Sequence, residues 1–226
     1  MKSDLTVRLK MIADMACKNV SESRRIIDVG SDHGMLSVYC LKNGCFDSAV
    51  LTDINPGPAQ RSRQTIEDNC LSSKAEVRVT DGLKGVEIRN GDVVVMAGLG
   101  GLNMRDIIEQ FEIDNPDREG DVTFILQPQK SLPELREWLS FKGYRITDEE
   151  CCFESGFYYC VLCVKYSGEV KKLTDREIYY GPVMLTKFDE RKDYKDFLDR
   201  VYGVRARGDE RIRRVLEELH EQGDGR

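Results

Sequence analysis

The chain has 226 residues and a formal net charge of −6. That length suits one ordinary domain with a modest appendage. The composition, 40% hydrophobic and 33% charged residues, is that of a soluble globular protein, and no apolar run approaches the roughly 20 residues that a membrane span needs. The first ten residues lack the apolar core of a secretory signal, so we expect a cytoplasmic protein. The negative charge argues mildly against a nucleic-acid binder.

Eight cysteines occur in the chain, at positions 17, 40, 45, 70, 151, 152, 160 and 163. Because no export signal precedes them, we expect reduced thiols rather than disulfides. Cys160 and Cys163 have the spacing of a metal or redox pair, but they fall in a predicted strand, where residues three apart point to opposite faces. No metal site is therefore predicted.

The apolar pattern alternates between helices and strands over the first two thirds of the chain. Leu5, Leu9, Ile12 and Ala16 lie on one helical face and predict an N-terminal helix. Five strands are predicted at residues 25–29, 49–54, 75–79, 92–97 and 122–127. The helical segments between and after them are 35–43, 57–69, 103–111 and 132–142. This alternation predicts right-handed crossovers and a parallel sheet covered on both faces.

A hairpin ends this alternation. Residues 144–153 and 157–166 are strand-like and are joined by Glu154-Ser155-Gly156, a turn signal that predicts an antiparallel pair. The result is an α/β fold with a seven-stranded sheet and a closing hairpin. Two apolar stripes at helical spacing, 194–201 and 212–219, then predict two short helices. We therefore predict a sheet domain at 1–166 and a small helical C-terminal extension at 167–226.

The most informative stretch runs from Arg25 to Gly34, where a buried strand leads into a glycine-bearing turn and then a helix. Asp28 marks the end of the strand. Gly30 and Gly34 permit backbone angles closed to other residues and a close approach by a ligand, and the helix N-terminus faces the turn. This layout is typical of a nucleotide-type cofactor site. It also occurs in α/β proteins that bind nothing there.

Two further acids lie at or just after the ends of the next two predicted strands. Asp53 stands where doubly wound folds place an acid that accepts hydrogen bonds from ribose hydroxyls, although a helix cap is the alternative interpretation. Asp81, followed by Gly82, lies at a position that suits the exocyclic amine of an adenine, or a simple turn. The carboxyl ends of parallel strands meet at one edge of a sheet, so we expect these acids and Asp28 to converge.

The fourth strand ends in Ala97-Gly98-Leu99-Gly100-Gly101, which exposes main-chain groups and offers no nucleophile. A flat ring fits against such a backbone; the alternative is a tight packing turn between strand and helix. Gln127 and Pro128 close the fifth strand at the same edge, where the amide binds a substrate base or satisfies the loop. For His33, a local hydrogen bond or a cofactor contact is favoured over a general base.

Several of these segments together resemble a known family. Asp28-Val-Gly-Ser-Asp-His-Gly, Asp81-Gly-Leu, Ala97-Gly-Leu-Gly-Gly and Leu126-Gln-Pro-Gln are similar to motifs of the bacterial tRNA (adenine-22-N1)-methyltransferases, the TrmK family. Arg8-Leu9 and Tyr180-Gly-Pro182 resemble its flanking motifs. The sequence departs from the family at Cys160, where an acidic residue is expected, and in a short final helical segment.

The resemblance implies a class I, Rossmann-like methyltransferase that binds S-adenosylmethionine and acts on tRNA, without a metal or a membrane; it predicts no oligomeric state. The cofactor-binding residues it suggests are Asp28, Gly30, Ser31, Asp32, His33, Gly34, Asp53, Ile54, Asp81, Gly82, Ala97 and Gly98. The methyl-transfer face would comprise Ala97, Gly98, Gly100 and Gly101. Substrate contacts are expected from Arg8, Gln127, Pro128 and Tyr159.

Adenine N1 carries an unprotonated in-plane lone pair at neutral pH, so it can attack a sulfonium methyl without a base. Catalysis then consists mostly of alignment, and the target base must leave its stack to enter the site. Arg8 and Arg105 are candidates for holding RNA, but a solvated helix face is the favoured interpretation for both.

Three other functions stay open at this point. A nicotinamide-dependent oxidoreductase uses a similar turn, but the closing hairpin and Asp32, which interrupts a G-x-G-x-x-G pattern, speak against it. An inactive methyltransferase-like binding module is the second alternative. Methylation of a small molecule is the third.

Overall fold

The computed structural model describes residues 5–116 and 121–223, with side chains up to residue 219. Within these residues, seven strands form one sheet in the order β3-β2-β1-β4-β5-β7-β6. The strands are β1 (Arg25–Val29), β2 (Ser48–Asp53), β3 (Ala75–Val79), β4 (Val93–Leu99), β5 (Thr123–Pro128), β6 (Tyr144–Glu154) and β7 (Phe157–Tyr166). Strands β1 to β5 are parallel, and the β6–β7 hairpin joins β5 in antiparallel sense. The predicted fold class is confirmed.

Eight α-helices lie within the same residues. They are α1 (Val7–Lys18), α2 (Met35–Lys42), α3 (Pro56–Asp68), α4 (Gly101–Asp114), α5 (Leu132–Phe141), α6 (Asp175–Tyr180), α7 (Lys192–Arg205) and α8 (Glu210–Gly223). A 3-10 turn, Met184–Lys187, follows α6. In the part of the chain that the structure describes, no helix has the length and apolar character to cross a membrane.

Alternation along the strands divides the core into two layers. In β4, Val94 and Met96 face one cluster, whereas Val93 and Val95 face the other. The first cluster is covered by α4, α5 and the C-terminal helices, and the second by α1, α2 and α3. Burial of both faces explains why the central strands are continuous apolar runs rather than alternating ones.

The end of β4 differs from the sequence prediction. The strand extends to Leu99 rather than stopping at residue 97, and α4 begins at Gly101 rather than at 103. The pairing with β5 shifts register between Ala97 and Leu99, so Gly98 forms a bulge with φ of +78°. A single extra residue of this kind lets the strand continue past an irregularity, which strand periodicity alone does not reveal.

The C-terminal extension holds more structure than the two predicted helices. Residues 192–205 and 210–223 form α7 and α8, and α6 and the 3-10 turn precede them. Only six residues long, α6 shows no helical periodicity, but Thr174 and Glu177 form a capping box at its start. The aromatic side chains of Tyr179, Tyr180 and Tyr202 pack into the first core cluster. The boundary at residue 166 stays a prediction.

A buried ion pair fastens this extension to the sheet. Arg136 of α5 and Glu149 of β6 lie 2.9 Å apart with both side chains fully buried. The Arg136 guanidinium also donates to the carbonyls of Ile178 and Tyr179, and the Glu149 carboxylate accepts from the backbone amides that follow Pro182. Every group of the pair is therefore bonded to the segment around α6, as a buried charge requires.

One prediction about the cysteines is contradicted. Cys17, in the last turn of α1, and Cys45, before β2, form a disulfide with their Cα atoms 5.4 Å apart. The prediction relied on composition, and only the packing of α1 against α2 brings the two thiols together. The other six cysteines are free. Cys160 and Cys163 face different core clusters, so the prediction that they point to opposite faces of the strand is confirmed.

Candidate active site

The turn after β1 is held against the end of β2. The backbone amides of Gly30 and Ser31 donate to the carbonyl of Thr52 over 2.8 and 3.1 Å. Gly34 has φ of +66°, and a Cβ there would lie 2.9 Å from the Leu51 side chain, so only glycine fits. Helix α2 begins directly after Gly34, so its N-terminal amides face the turn.

Asp28 lies beneath this turn rather than on its surface. Its side chain is buried within β1, and its carboxylate accepts a hydrogen bond of 2.9 Å from the Ser37 hydroxyl of α2. Burial raises the pKa of Asp28 to about 6, and the bond from Ser37 opposes part of that rise. The carboxyl group therefore ties the start of α2 to β1.

The polar residues across the turn face α3. Arg61 donates to the Asp32 carboxylate at 2.5 Å, and His33 Nε2 is 3.6 Å from the same group. The hydroxyls of Ser31 and Ser62 are 3.0 Å apart. Asp32 and His33 are both exposed. Their placement leaves both side chains accessible to a ligand on the turn.

A cavity of about 900 Å³ opens between the ends of β1, β2 and β3 and helix α4. Its lining includes Gly30, Asp53, Ile54, Asp81 and Gly82, all predicted cofactor residues. Asp53 is buried and accepts a hydrogen bond of 2.9 Å from the amide of Asn55, and Asp81 is exposed. Two of the three expected acids thus face one cavity, and the third, Asp28, lies under its floor.

The cavity has an apolar side as well. Leu83, Leu99, Ile107 and Phe111 contribute apolar surface opposite the acids. A Cβ on Gly82, where φ is +56°, would lie 2.9 Å from the Ile107 side chain. Glycine there keeps the loop and α4 close together, so a flat aromatic ligand would lie between apolar side chains and the acidic strand ends.

Gly98 lies at the end of β4 but, unlike Leu99, does not line the cavity. It is exposed at the bulge, and the nearest side chains to a Cβ built on it are those of Arg8 and Gln129, at 3.6 and 3.8 Å. The preceding residue, Ala97, is half-buried. The main chain of Gly98 is therefore accessible to a planar group and is bordered by the side chains of Arg8 and Gln129.

Gly100 and Gly101 are in a different environment. A Cβ on Gly101 would lie 2.6 Å from the carbonyl oxygen of Ser131, and one on Gly100 would lie 3.1 Å from the Lys130 side chain. Gly101 is buried, and its amide donates to the carbonyl of Lys130. These contacts favour a packing function for Gly101, the alternative that the sequence left open.

A second polar cluster is formed by Arg8, Gln127 and Tyr159. Arg8 places it beside Gly98. Arg8 Nη1 donates to Gln127 Oε1 over 2.8 Å, and the guanidinium carbon lies 5.4 Å from the centre of the Tyr159 ring. Gln127 and Pro128 are buried, whereas Arg8 and Tyr159 are half-exposed. Arg8 is thus fixed at the sheet edge rather than on a solvated helix face. Arg105 lies apart on α4, paired with Asp106.

Sequence reasoning missed the apolar and polar residues that α4 contributes. Asn103, Asp106 and Gln110 line the cavity alongside Ile107. Their helical spacing was visible in the sequence, but the face that α4 turns to the sheet depends on packing. Among residues 5–116 and 121–223, no group of three or more His, Cys, Asp and Glu side chains is arranged to hold a metal ion.

Comparisons with known proteins agree with this geometry. Residues 5–162 match a family model described as a methyltransferase domain. The tRNA (adenine(22)-N(1))-methyltransferase of Bacillus subtilis (strain 168) is 29% identical over 182 residues, 80% of this chain and 71% of that protein. A solved Streptococcus agalactiae protein of the NADB-Rossmann superfamily is 28% identical, with a TM-score of 0.78 and 98% of each chain covered.

A further solved structure contains a ligand. Streptococcus pneumoniae Sp1610, named as a candidate tRNA (m1A22) methyltransferase and solved in complex with S-adenosyl-L-methionine, is 26% identical with a TM-score of 0.73. The match covers 94% of this chain and 100% of that one. The resemblance drawn from the sequence motifs is confirmed by these relatives. The family model matches residues 5–162, which is most of this chain. This chain therefore belongs to the methyltransferase-domain family.

Proposed function

We propose that this protein transfers a methyl group from S-adenosylmethionine to N1 of an adenine in tRNA. One observation carries the proposal: the acid-lined cavity and the Arg8 cluster lie on opposite sides of the Gly98–Leu99 backbone. Leu99 lines the cavity, and a Cβ built on Gly98 would lie 3.6 Å from Arg8 of the cluster. A methyl donor in the cavity and a base beside Arg8 would meet at this backbone. The names of the relatives support the same reaction.

The cavity fits S-adenosylmethionine, which when bound supplies an electrophilic methyl group. Gly30 lets the turn approach a ligand closely, since a Cβ there would point at Leu99 from 3.4 Å. The Asp53 carboxylate is positioned by Asn55 to accept from ribose hydroxyls. Asp81 would accept from the adenine amine, and Ile107 would cover the ring. We propose that Ser31, Asp32 and His33 contact the amino-acid end from the turn.

The residues beside Gly98 suit attack by a neutral nitrogen. The side chains nearest to Gly98, Arg8 and Gln129, offer no proton acceptor of useful basicity at neutral pH. Adenine N1 needs none, because its lone pair is free in the neutral base. The contribution of this chain is therefore alignment of the base by Ala97, Gly98 and Tyr159, which can favour a reaction by several kcal/mol.

The target adenine must be unpaired or turned out of its stack before N1 can reach this site. Aromatic side chains receive such bases by stacking, and Tyr159 provides a half-exposed ring next to Arg8. Phe157, two residues earlier on the same face of β7, is 65% exposed. The proposed substrate places the reaction in the cytoplasm.

Transfer of labelled methyl groups to RNA tests the proposal. Bulk tRNA incubated with the protein and labelled S-adenosylmethionine should gain label, and digestion to nucleosides should place that label in N1-methyladenosine. Label in another nucleoside would reject N1 of adenine as the target. Absence of label from every RNA pool would favour an inactive binding module, and label in metabolite fractions alone would favour a small-molecule substrate.

Cofactor choice is tested separately by calorimetric titration. S-adenosylmethionine should bind and nicotinamide dinucleotides should not, because Asp32 stands within the glycine turn that would hold a pyrophosphate. Tighter binding of NAD or NADP than of S-adenosylmethionine would contradict the proposed function and favour an oxidoreductase.

A further inference from the structure

The β6–β7 hairpin extends beyond the edge of the parallel sheet. Leu126 of β5 pairs with Leu162 of β7, and β7 runs antiparallel to β5. Because β5 ends at Pro128, residues of β7 that precede Cys160 lie past the carboxyl end of β5, beside the proposed active site. The tip of the hairpin brings Glu154 to the first turn of α1. The hairpin and α1 thus meet where the target base is expected.

Glu154 stabilises the start of α1 from another element. Its Oε1 accepts a hydrogen bond of 3.1 Å from the backbone amide of Arg8, and the Thr6 hydroxyl accepts from the amide of Leu9. No acidic residue occurs in the first turn of α1 itself. A carboxylate at this end satisfies a free amide and interacts favourably with the helix dipole. Glu154 therefore fixes the backbone of Arg8.

Gln127 fixes the other end of the same residue. Its Oε1 accepts from Arg8 Nη1, and its Nε2 donates to the carbonyl of Pro128 over 3.0 Å. Gln127 is fully buried, so it supports the guanidinium from below rather than offering a surface to a substrate. The half-exposed Arg8 guanidinium, above the Tyr159 ring, is the group that a base entering beside Gly98 would meet.

We propose that Glu154 is a positioning residue for RNA binding, which acts by holding Arg8 at the target-base site through the first turn of α1. The inference rests on the proposed function, since it concerns the RNA side of the same site. An arginine side chain has many rotamers, and fixing it before the substrate arrives reduces the entropy lost on binding. Loss of Glu154 should weaken RNA binding and leave the cofactor cavity unchanged.

Steady-state kinetics with tRNA test this inference. Glu154→Ala should raise the KM for tRNA about fivefold, because the Arg8 side chain is then no longer held in place before the RNA binds. Glu154→Gln, which keeps an acceptor oxygen, should recover most of the activity. The dissociation constant of S-adenosylmethionine should stay within twofold of that of the parent in both variants. Glu177→Ala removes a helix-capping glutamate at α6 and serves as the matched control, with an unchanged KM.

A double-mutant cycle separates positioning from a general structural effect. In the Arg8→Ala background no side chain remains to be positioned, so adding Glu154→Ala should change the KM for tRNA by less than twofold. A further fivefold rise in that background, or an equal rise in Glu177→Ala, would overturn the inference. Failure of the proposed function is distinguishable, because the parent protein would then methylate no RNA at all.

Discussion

Gly98 and Gly101 are three positions apart in one glycine-rich segment, yet they are glycines for different physical reasons. Gly98 has φ of +78° and an open side, whereas the place of a side chain at Gly101 is taken by the carbonyl of Ser131. The first is a candidate surface for a substrate and the second is a packing position. Gly98 therefore stays a predicted part of the methyl-transfer face, whereas packing against Ser131 explains the glycine at position 101.

Gly98→Ala should reduce methyl transfer more than stability. The left-handed conformation costs an alanine about 1 kcal/mol, and the added methyl group would stand where the base is expected. We expect kcat to fall at least tenfold and Tm by only a few degrees. Gly44→Ala is the matched control, with φ of +69° and open space at a remote loop. Equal loss of activity in both variants would contradict this account of Gly98.

Asp28 should make stability depend on pH. Its pKa rises on folding from 3.8 to about 6 because the carboxyl group is buried. Because the folded protein binds this proton more tightly than the unfolded chain does, the protonated Asp28 carboxyl group stabilises the fold below pH 4. That contribution is lost as the pH rises through 6. The loss by pH 7 is about 3 kcal/mol at 1.36 kcal/mol for each pKa unit.

Asp28→Asn removes this titration. Denaturant unfolding without cofactor should show the variant gaining about 3 kcal/mol over the parent between pH 4 and pH 7. Asp68→Asn, on the exposed end of α3, controls for loss of one surface charge. A constant difference between parent and Asp28→Asn over this range would show that the buried carboxyl does not titrate there.

The location of a site residue was predictable where the fold alone fixes it. It was not predictable where it depends on side-chain packing. Asp53 and Asp81 were placed at the cavity because they lie at or just after the carboxyl ends of neighbouring parallel strands, which meet at one edge of the sheet. Burial of the Asp28 and Gln127 side chains was not predicted. The sequence pattern of a carboxylate or amide at a strand end is the same whether the side chain faces a ligand or a neighbouring helix. Glu154 was noted only as part of a turn.

At the scale of elements, one buried ion pair joins the extension after the hairpin to the sheet. Glu149→Gln would leave the Arg136 charge buried without a counter-charge, which typically costs 3–5 kcal/mol, roughly. We expect a loss of about that size in the free energy of unfolding. Glu109→Gln breaks the exposed pair with Lys142 and should cost under about 1 kcal/mol. Similar losses in the two variants would contradict the importance of burial.

The Cys17–Cys45 disulfide joins two residues that are 28 positions apart in the sequence. A closure of that length is expected to stabilise the fold by about 3–4 kcal/mol in the chain-entropy account. Cys45→Ser should therefore lower the free energy of unfolding under non-reducing conditions, and a reducing agent should have no further effect on the variant. Titration of eight free thiols in the unfolded, unreduced parent would contradict the pairing.

The order and type of most elements followed from periodicity, whereas the ends of many elements did not. Strands β1 and β3 and the second hairpin strand were predicted with the bounds observed, because turn residues delimit them. The bulge at Gly98 and helix α6 were missed. A bulge is a property of pairing between two strands, and a six-residue helix depends on its cap and on the Arg136–Glu149 pair rather than on an apolar stripe.

At the scale of the whole molecule, the end of β4 separates two sites. The cavity takes residues from β1, β2, the loop after β3, and α4, whereas the Arg8 cluster takes them from α1, β5 and β7. The two groups of elements lie on different sides of one strand. Changes in one site should therefore alter the binding of one substrate and leave the other unaffected.

The dissociation constant of S-adenosylmethionine, measured side by side for the parent, Asp53→Ala and Arg8→Ala, tests this separation most directly. Loss of the buried Asp53 acceptor should weaken binding at least tenfold, since unpaired ribose hydroxyls cost more than 1 kcal/mol, roughly. Arg8→Ala should bind the cofactor as the parent does. Unchanged affinity in Asp53→Ala, or an equal loss in Arg8→Ala, would contradict the placement of the cofactor and the target base on opposite sides of Gly98.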